Sequence, residues 1–468
     1  MLRASEACER AGFPTSSLTC EGFLGQAAAT AVGLGMPNLP VAMIVGHPGA
    51  QSVEEIHANA TAVTAAQVIE NLTVQPPEAV LEPEPGSKDI VFSGSFEQVN
   101  AHFYENEWSD GLPFVPPTME KIAEFLRFTP RRPDETLGIV LPASRAVTIW
   151  SIAVNGVMAG CRPEYMPVLV ALGEAMADPI YGVEHSGNTP GADTLIVLNG
   201  PIIKQLGFNY EQGALRDGFQ ANSSVGRFWR LALRNIAGFL PHKTDKGTFG
   251  NTWRVVLAEN EDALARIGWP SNAADMGFAT GDNTVTITRM TGGDVMPSVT
   301  GATPQAILPY LADGLAKETG WEIAFTVGGL TFGTSRPALV LSPILAETIA
   351  RAGWSKADLK RALYAEARMP ARRVETMMNV WTEFKINSLK HQVNLGRLPR
   401  AFAESDDPER LVPIVVDPED FMVLVSGDPL RTNAYAFAHN GYLGFPVARR
   451  IALPDDWETR IAEMKGRK

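Results

Sequence analysis

Chemistry in this chain would have to start from three cysteines and a few polar groups set at the ends of apolar runs. Cys20 closes the run Thr15–Cys20 and opens a helical pattern, and His47 follows the run Pro40–Gly46 in Val-Gly-His-Pro. If both runs are strands of one parallel sheet, the two loops leave its carboxyl edge, where open α/β folds bind ligands. A thiol at a helix N-terminus gains from the helix dipole, and a neighbouring imidazole would accept its proton, so a thiolate would form near neutral pH. Glu21 opposes this with its negative charge. The plain alternative makes Cys20 a small buried residue and His47 a capping group.

Cys161 lies in Met-Ala-Gly-Cys-Arg-Pro-Glu-Tyr (158–165), between two helical patterns, with Pro163 suited to the first position of the second helix. Its sulfur would sit at the positive end of that helix beside Arg162, with Glu164 acting against the thiolate. The competing reading is a tight helix–helix corner that Gly160 permits and Cys161 fills. Trp108–Thr118, WSDGLPFVPPT, reads as an irregular loop ahead of a helix capped by Thr118. Its Asp110 would be a base, a substrate acceptor or the turn former that Asp-Gly commonly supplies. Arg227, Arg230 and Arg234 share one helical face, either as a carboxylate clamp or as a solvated basic surface. His185-Ser186, Asn199-Gly200 and Glu259-Asn260 end or follow strands and are expected to border one pocket.

The surrounding sequence limits the chemistry available. No Walker-type phosphate loop, no GxGxxG after a strand, no HExxH and no GxSxG is present, so no motif names a cofactor. A net charge of -12 leaves no electrostatic footprint for nucleic acid, which points to a small-molecule substrate. Cysteines that are few and lack a CxxC suggest neither a disulfide framework nor a structural zinc site. With no secretory signal pattern and no apolar stretch of about 18 residues, the expectation is a cytoplasmic protein with no membrane anchor.

These residues need elements to hold them. Residues 1–73 alternate apolar runs with the helical patterns Gly22–Gly33 and Ser52–Leu72, a parallel βαβα lobe that is partly incomplete, with a strand edge and a sheet face left uncovered. Residues 74–89, VQPPEAVLEPEPGSKD, form a Pro/Glu-rich linker. Residues 90–468 make a larger α/β domain, with strands expected at Thr136–Pro142, Thr194–Asn199, Trp253–Ala258, Thr284–Met290, Ala338–Ser342 and Phe421–Ser426. Helices are expected over Ala146–Met158, Pro163–Met176 and Ser223–Phe239, from about Ile202, after Pro343, and from Ser355 as a cap with Asp358 in its first turn. VLNGPIIKQLG and VLSPILAETIARAG share a strand, turn, proline, helix layout, a hint of internal duplication.

Asn-Gly-Val-Met-Ala-Gly-Cys-Arg-Pro-Glu-Tyr (155–165) resembles the NAVMAGCRPEY signature of proteins in which a domain of the UGSC family, named for its selenocysteine-Gly-Ser-Cys motif, precedes a long C-terminal region. WSDGLPFVPPT, the Asn-Gly-Pro turn at 199–201, ANSSVGR at 221–227 and the terminal VSGDP and IALP segments add to the resemblance. In that family the motif follows the first strand and precedes a helix and an ErxGxPt turn, which Glu9–Thr15 matches here. The resemblance therefore places the Sec/Cys-Gly-Ser-Cys motif upstream of Met1, through a late start, its loss, or its supply by a partner chain. It implies a thiol or selenol oxidoreductase.

The resulting expectation is a thiol-dependent oxidoreductase-like enzyme, or a subunit of one, acting on a small organic substrate. Cys161 is its first candidate thiol and Cys20 with His47 its second, while Asp110, Arg162, Glu164, Asn199 and Arg227 would bind substrate. The rivals are metal-assisted lyase or hydratase chemistry using His47, His185, Asp110 or Cys161, and a non-catalytic subunit whose open lobe pairs with another chain.

Overall fold

Two short apolar runs separated by a helix are enough to set up the N-terminal lobe. In the computed structural model, which describes residues 1–76, 85–251, 255–319, 322–323, 335–381 and 385–466, β1 (Ser17–Cys20) pairs in parallel with β2 (Val41–Ile44). Helix α1 (Leu2–Arg10) precedes them and α2 (Leu24–Gly33) crosses between them. Helices α3 (Val53–Asn59) and α4 (Ala65–Thr73) follow, joined without a break by the π turn Ala60–Thr64. Ser52 starts α3 with a reciprocal capping box to Glu55. The outer edge of β2 is closed by helix side chains, since Gln67 Oε1 accepts the Met43 N–H at 2.7 Å and Thr64 Oγ1 donates to the Met43 carbonyl at 2.7 Å. The apolar core of the lobe is thin, namely Ala27, Ala31, Leu39 and Ala42, while Phe13, Val53 and Ile69 stay exposed. The linker expected at 74–89 lies partly outside the described residues.

The long C-terminal region begins with α5 (Phe96–Glu105), the Trp108–Thr118 loop and α6 (Met119–Leu126), where Thr118 Oγ1 accepts the Lys121 N–H as the sequence suggests. β3 (Thr136–Val140) turns back through Ser144, at φ 54°, into β4 (Arg145–Thr148). The helix expected from Ala146 therefore starts later, as α7 (Ile149–Met158), because β-branched Val147 and Thr148 pair with β3 and Thr148 then caps the helix. α8 (Met166–Met176), α9 (Ile202–Leu206) and α10 (Gln220–Ala232) match the sequence pattern.

The remaining strands are β5 (Asp193–Asn199), β6 (Val256–Ala258), β7 (Thr284–Met296), β8 (Ala338–Leu341), β9 (Arg368–Pro370), β10 (Leu411–Pro413), β11 (Met422–Val425), β12 (Ala434–His439) and β13 (Val447–Arg450). β9 and β10 pair separately; the main sheet has the order β11-β8-β12-β7-β5-β6, and β13 continues beside β7. Its two halves repeat one arrangement. β6 runs parallel to β5 and β7 antiparallel to it, just as β11 and β12 do to β8. The N–H after each second strand bonds the same carbonyl position of the first, Glu259 to Leu198 and Ser426 to Leu341, both at 3.0 Å. VLNGPIIKQLG runs from β5 into α9, and VLSPILAETIARAG from β8 into the helix Pro343–Arg351. The sheet also curls until its outer strands touch, with the Asn260 N–H on the Val425 carbonyl at 2.7 Å and Ser426 Oγ on the Ala258 carbonyl at 2.8 Å. Helices α7, α8 and α10 pack with β5, β6 and β7 in one apolar cluster, and the helices after β7 pack with β8 and β11 in another. Among the described residues no helix is long and apolar enough to cross a membrane.

Candidate functional site

Register puts Cys20 level with Ile44, at the carboxyl ends of β1 and β2. Cys20 is partly exposed and caps the 3-10 turn Glu21–Phe23 that leads into α2. Glu21 Oε2 accepts the Gly46 N–H at 3.3 Å, so Cys20 and His47 each adjoin one end of the bond that joins the two loops. His47 is exposed, and its Nδ1 accepts the Gly49 N–H at 3.1 Å, capping the turn Pro48–Ala50. That bond fixes the tautomer: Nδ1 presents its lone pair, and the proton of the neutral ring is on Nε2. The expected proton acceptor is thus arranged as a donor, since protonation of Nδ1 would break the cap. Val45, His47, Gln51, Glu55 and Asn59 line an open pocket of about 480 Å³ beside it.

At Cys161 the structure favours the corner over the reactive thiol. Gly160 turns the chain at φ 75° after α7, and Cys161 is buried in the apolar cluster formed by α7, α8 and α10. Burial pushes its thiol up to about 12, although a hydrogen bond with Ser224 and the positive charge of Arg227 act the other way. The expectation of an easily ionised Cys161 is corrected accordingly: the desolvation of the sulfur outweighs its position before the helix.

The other predicted residues are mostly engaged with one another. Arg227 holds Asp110 by two hydrogen bonds, Arg230 pairs with Asp193 at 3.3 Å and Asp245 at 3.7 Å, and Arg234 Nη1 donates to the Glu107 carbonyl at 3.1 Å. The arginine face is therefore neither a ligand clamp nor a solvated surface; it straps the Trp108–Thr118 loop and the start of β5 to α10. Asn199 is fully buried, donating to Glu259 Oε2 at 2.7 Å and Glu261 Oε1 at 3.0 Å. Burial raises the Glu259 carboxyl, while the Lys356 charge and the hydrogen bonds from the Asn272 N–H and Asn199 lower it. His185 and Ser186 sit at the opposite end of β5, where Ser186 faces Arg289, so the three strand-end pairs do not border one pocket.

Arg162 and Glu164 do line a cavity, of about 220 Å³, together with Lys204, Gln205, Leu206, Gly207, Ile461 and Met464. Sequence reasoning missed this second wall, because α9 and the C-terminal helix Trp457–Gly466 carry no chemical motif. Among the described residues no three His, Cys, Asp or Glu side chains come together as a metal site. Residues 1–74 of the 468-residue chain match the family model described as UGSC family, and the match leaves the long C-terminal region outside it. No curated protein and no solved structure matches the chain.

Proposed function

We propose, taking residues 1–74 as the UGSC domain that they match, that this chain is a thiol-dependent oxidoreductase-like enzyme, or a subunit of one, acting on a small organic substrate. Its reactive centre is the carboxyl edge of the lobe, with Cys20 as the thiol and the His47 Nε2–H as a hydrogen-bond donor to a developing anion. The observation that carries this reading is the register of β1 and β2, which brings the two loops to one edge, with an open pocket on the His47 side. In exchange with a small disulfide, the Cys20 thiolate attacks one sulfur, a new S–S bond forms as the old one breaks, and the departing thiolate takes a proton from water. The cytoplasm keeps such thiols reduced, and the thin core of the lobe fits a chain that works as an oligomer or beside a partner subunit.

The metal-assisted alternative lacks a ligand set among the described residues. Timed alkylation of the native protein with iodoacetamide, with each cysteine mapped by mass spectrometry, tests the proposal. Cys20 should react faster than exposed Cys8, and His47→Ala should slow it several-fold. Equal rates at Cys8 and Cys20, unaffected by His47, would remove the reading.

A further inference from the structure

We infer that the cavity between the start of α8, α9 and the C-terminal helix is a binding site for a small aliphatic carboxylic acid bearing an amino or hydroxyl group next to its carboxylate. The inference does not depend on the reactivity of Cys20. Its core is Glu164, whose side chain is 2% exposed and which lines the cavity. One carboxylate oxygen, Oε1, is paired with Arg162; the other, Oε2, is buried and has no hydrogen-bond donor among the described residues. A buried carboxylate oxygen left unmatched is costly, of order 1–3 kcal/mol, so such groups point to a missing partner. The donor that is lacking is an N–H or O–H.

The remaining lining specifies the rest of the ligand. Arg162 gives part of its guanidinium fork to Glu164, and Lys204 gives one of its three N–H groups to Asp262 Oδ1 at 2.6 Å. Both cations line the cavity, which suits an anionic oxygen. Gln205 is held in place by its neighbours, its Nε2 donating to Glu458 at 3.0 Å and its Oε1 accepting from the Trp457 indole at 2.9 Å, which leaves one amide N–H and one lone pair. Leu206, Ile461 and Met464 supply an apolar wall for a short aliphatic chain. At about 220 Å³ the space lies below the several hundred Å³ of pockets for drug-sized molecules and suits a molecule the size of an amino acid.

The experiment titrates the full chain by calorimetry with L-leucine, 2-hydroxy-4-methylpentanoate and 4-methylpentanoate, which share a skeleton and differ in the group next to the carboxylate. At least one of the first two should bind. 4-Methylpentanoate, with no donor for Glu164, should bind at least tenfold more weakly, and the stronger of the first two shows whether the donor is an ammonium or a hydroxyl. Lys204→Met, at an exposed position, should weaken the better ligand about tenfold, and Met464→Trp should block it by filling the cavity. Glu164→Leu, which has no acceptor, should remove the preference over 4-methylpentanoate; should that variant not fold, the other two carry the test. No binding of any of the three acids at millimolar concentration, or binding indifferent to both Lys204→Met and Met464→Trp, overturns the inference.

Discussion

Arg227 grips Asp110 through two hydrogen bonds, Nε to Oδ2 at 3.0 Å and Nη2 to Oδ1 at 2.8 Å, across 117 residues of sequence. Both side chains are largely buried, 19% and 11% exposed, and the same guanidinium also donates to the Leu112 carbonyl at 3.2 Å. Asp110→Ala would leave a guanidinium without its counterion and should cost about 2–4 kcal/mol. Removing both partners should cost less than the sum of the single losses, since neither charge is then stranded. Urea midpoints of the two single variants and the double variant measure this coupling; strictly additive losses would show that the pair does not hold the loop.

The buried Cys161 thiol makes a prediction on the alkaline side. Its folded value of about 12 lies above the unfolded value near 9.0, so the stabilisation is complete below pH 9 and is lost as the pH rises from there toward 12. Relative to Cys161→Ala, the native chain should lose up to about 1.4 kcal/mol per pH unit in that window. Thermal midpoints of both proteins at pH 8, 9 and 10 provide the comparison, and parallel curves would mean that the thiol is not sealed. In the native protein at pH 8, Cys161 should also resist iodoacetamide.

Much of the lobe was legible because two apolar runs, each followed by a helical pattern, leave few arrangements open. Cys20 and His47 were correctly placed on one edge, yet the role of His47 depended on the Gly49 N–H, a local bond that residue spacing does not show. The helical face of Arg227, Arg230 and Arg234 was legible from its period. Its partners were not, since Asp110, Asp193 and Glu107 come from distant segments. β4 was hidden inside a continuous apolar stretch, and β12 and β13 were missed because Ala-Tyr-Ala-Phe-Ala-His and Val-Ala-Arg-Arg are short and owe their strand form to β7. The burial of Cys161 is likewise tertiary, for its neighbour Ser224 and the Arg227 charge lie on α10.

His439 gives the matching prediction on the acid side. The ring is fully buried, Nδ1 accepts the Arg336 N–H at 3.0 Å, and Nε2 has no partner among the described residues. Burial first, and then the positive charges of Arg289 and Arg336, push the imidazole down to about 3. The folded value is below the unfolded value of 6.5, so this stabilisation is present above pH 6.5 and is lost as the pH falls from there toward 3. His439→Asn keeps an acceptor for the Arg336 N–H and cannot titrate. It should be less stable than the native chain at pH 7, and that gap should narrow by about 2 kcal/mol by pH 5. A gap that stays constant between the two pH values would mean that His439 is not held neutral.

Gly33 lets α2 approach the backbone of Pro142 and Ala143. A Cβ there would stand 2.1 Å from the Pro142 carbonyl oxygen and 3.2 Å from the Ala143 carbonyl carbon, both backbone atoms that cannot swing aside. Gly25, in the same helix, would bring its Cβ no nearer than 3.8 Å to the His242 carbonyl, an ordinary contact. Alanine is the better helix former by at most about 1 kcal/mol, less at the ends of a helix where both positions lie, so the two substitutions differ chiefly in the approach. Gly25→Ala should be neutral or slightly stabilising. Gly33→Ala should displace the lobe, because the Arg3–Glu184 ion pair at 3.5 Å, with Arg3 54% exposed, contributes too little to hold it. Hydrogen exchange of the β3–β4 hairpin and the radius of gyration from small-angle scattering read the outcome. Both should rise for Gly33→Ala alone, and equal behaviour of the two variants would show that the contact at Pro142 does not fix the lobe.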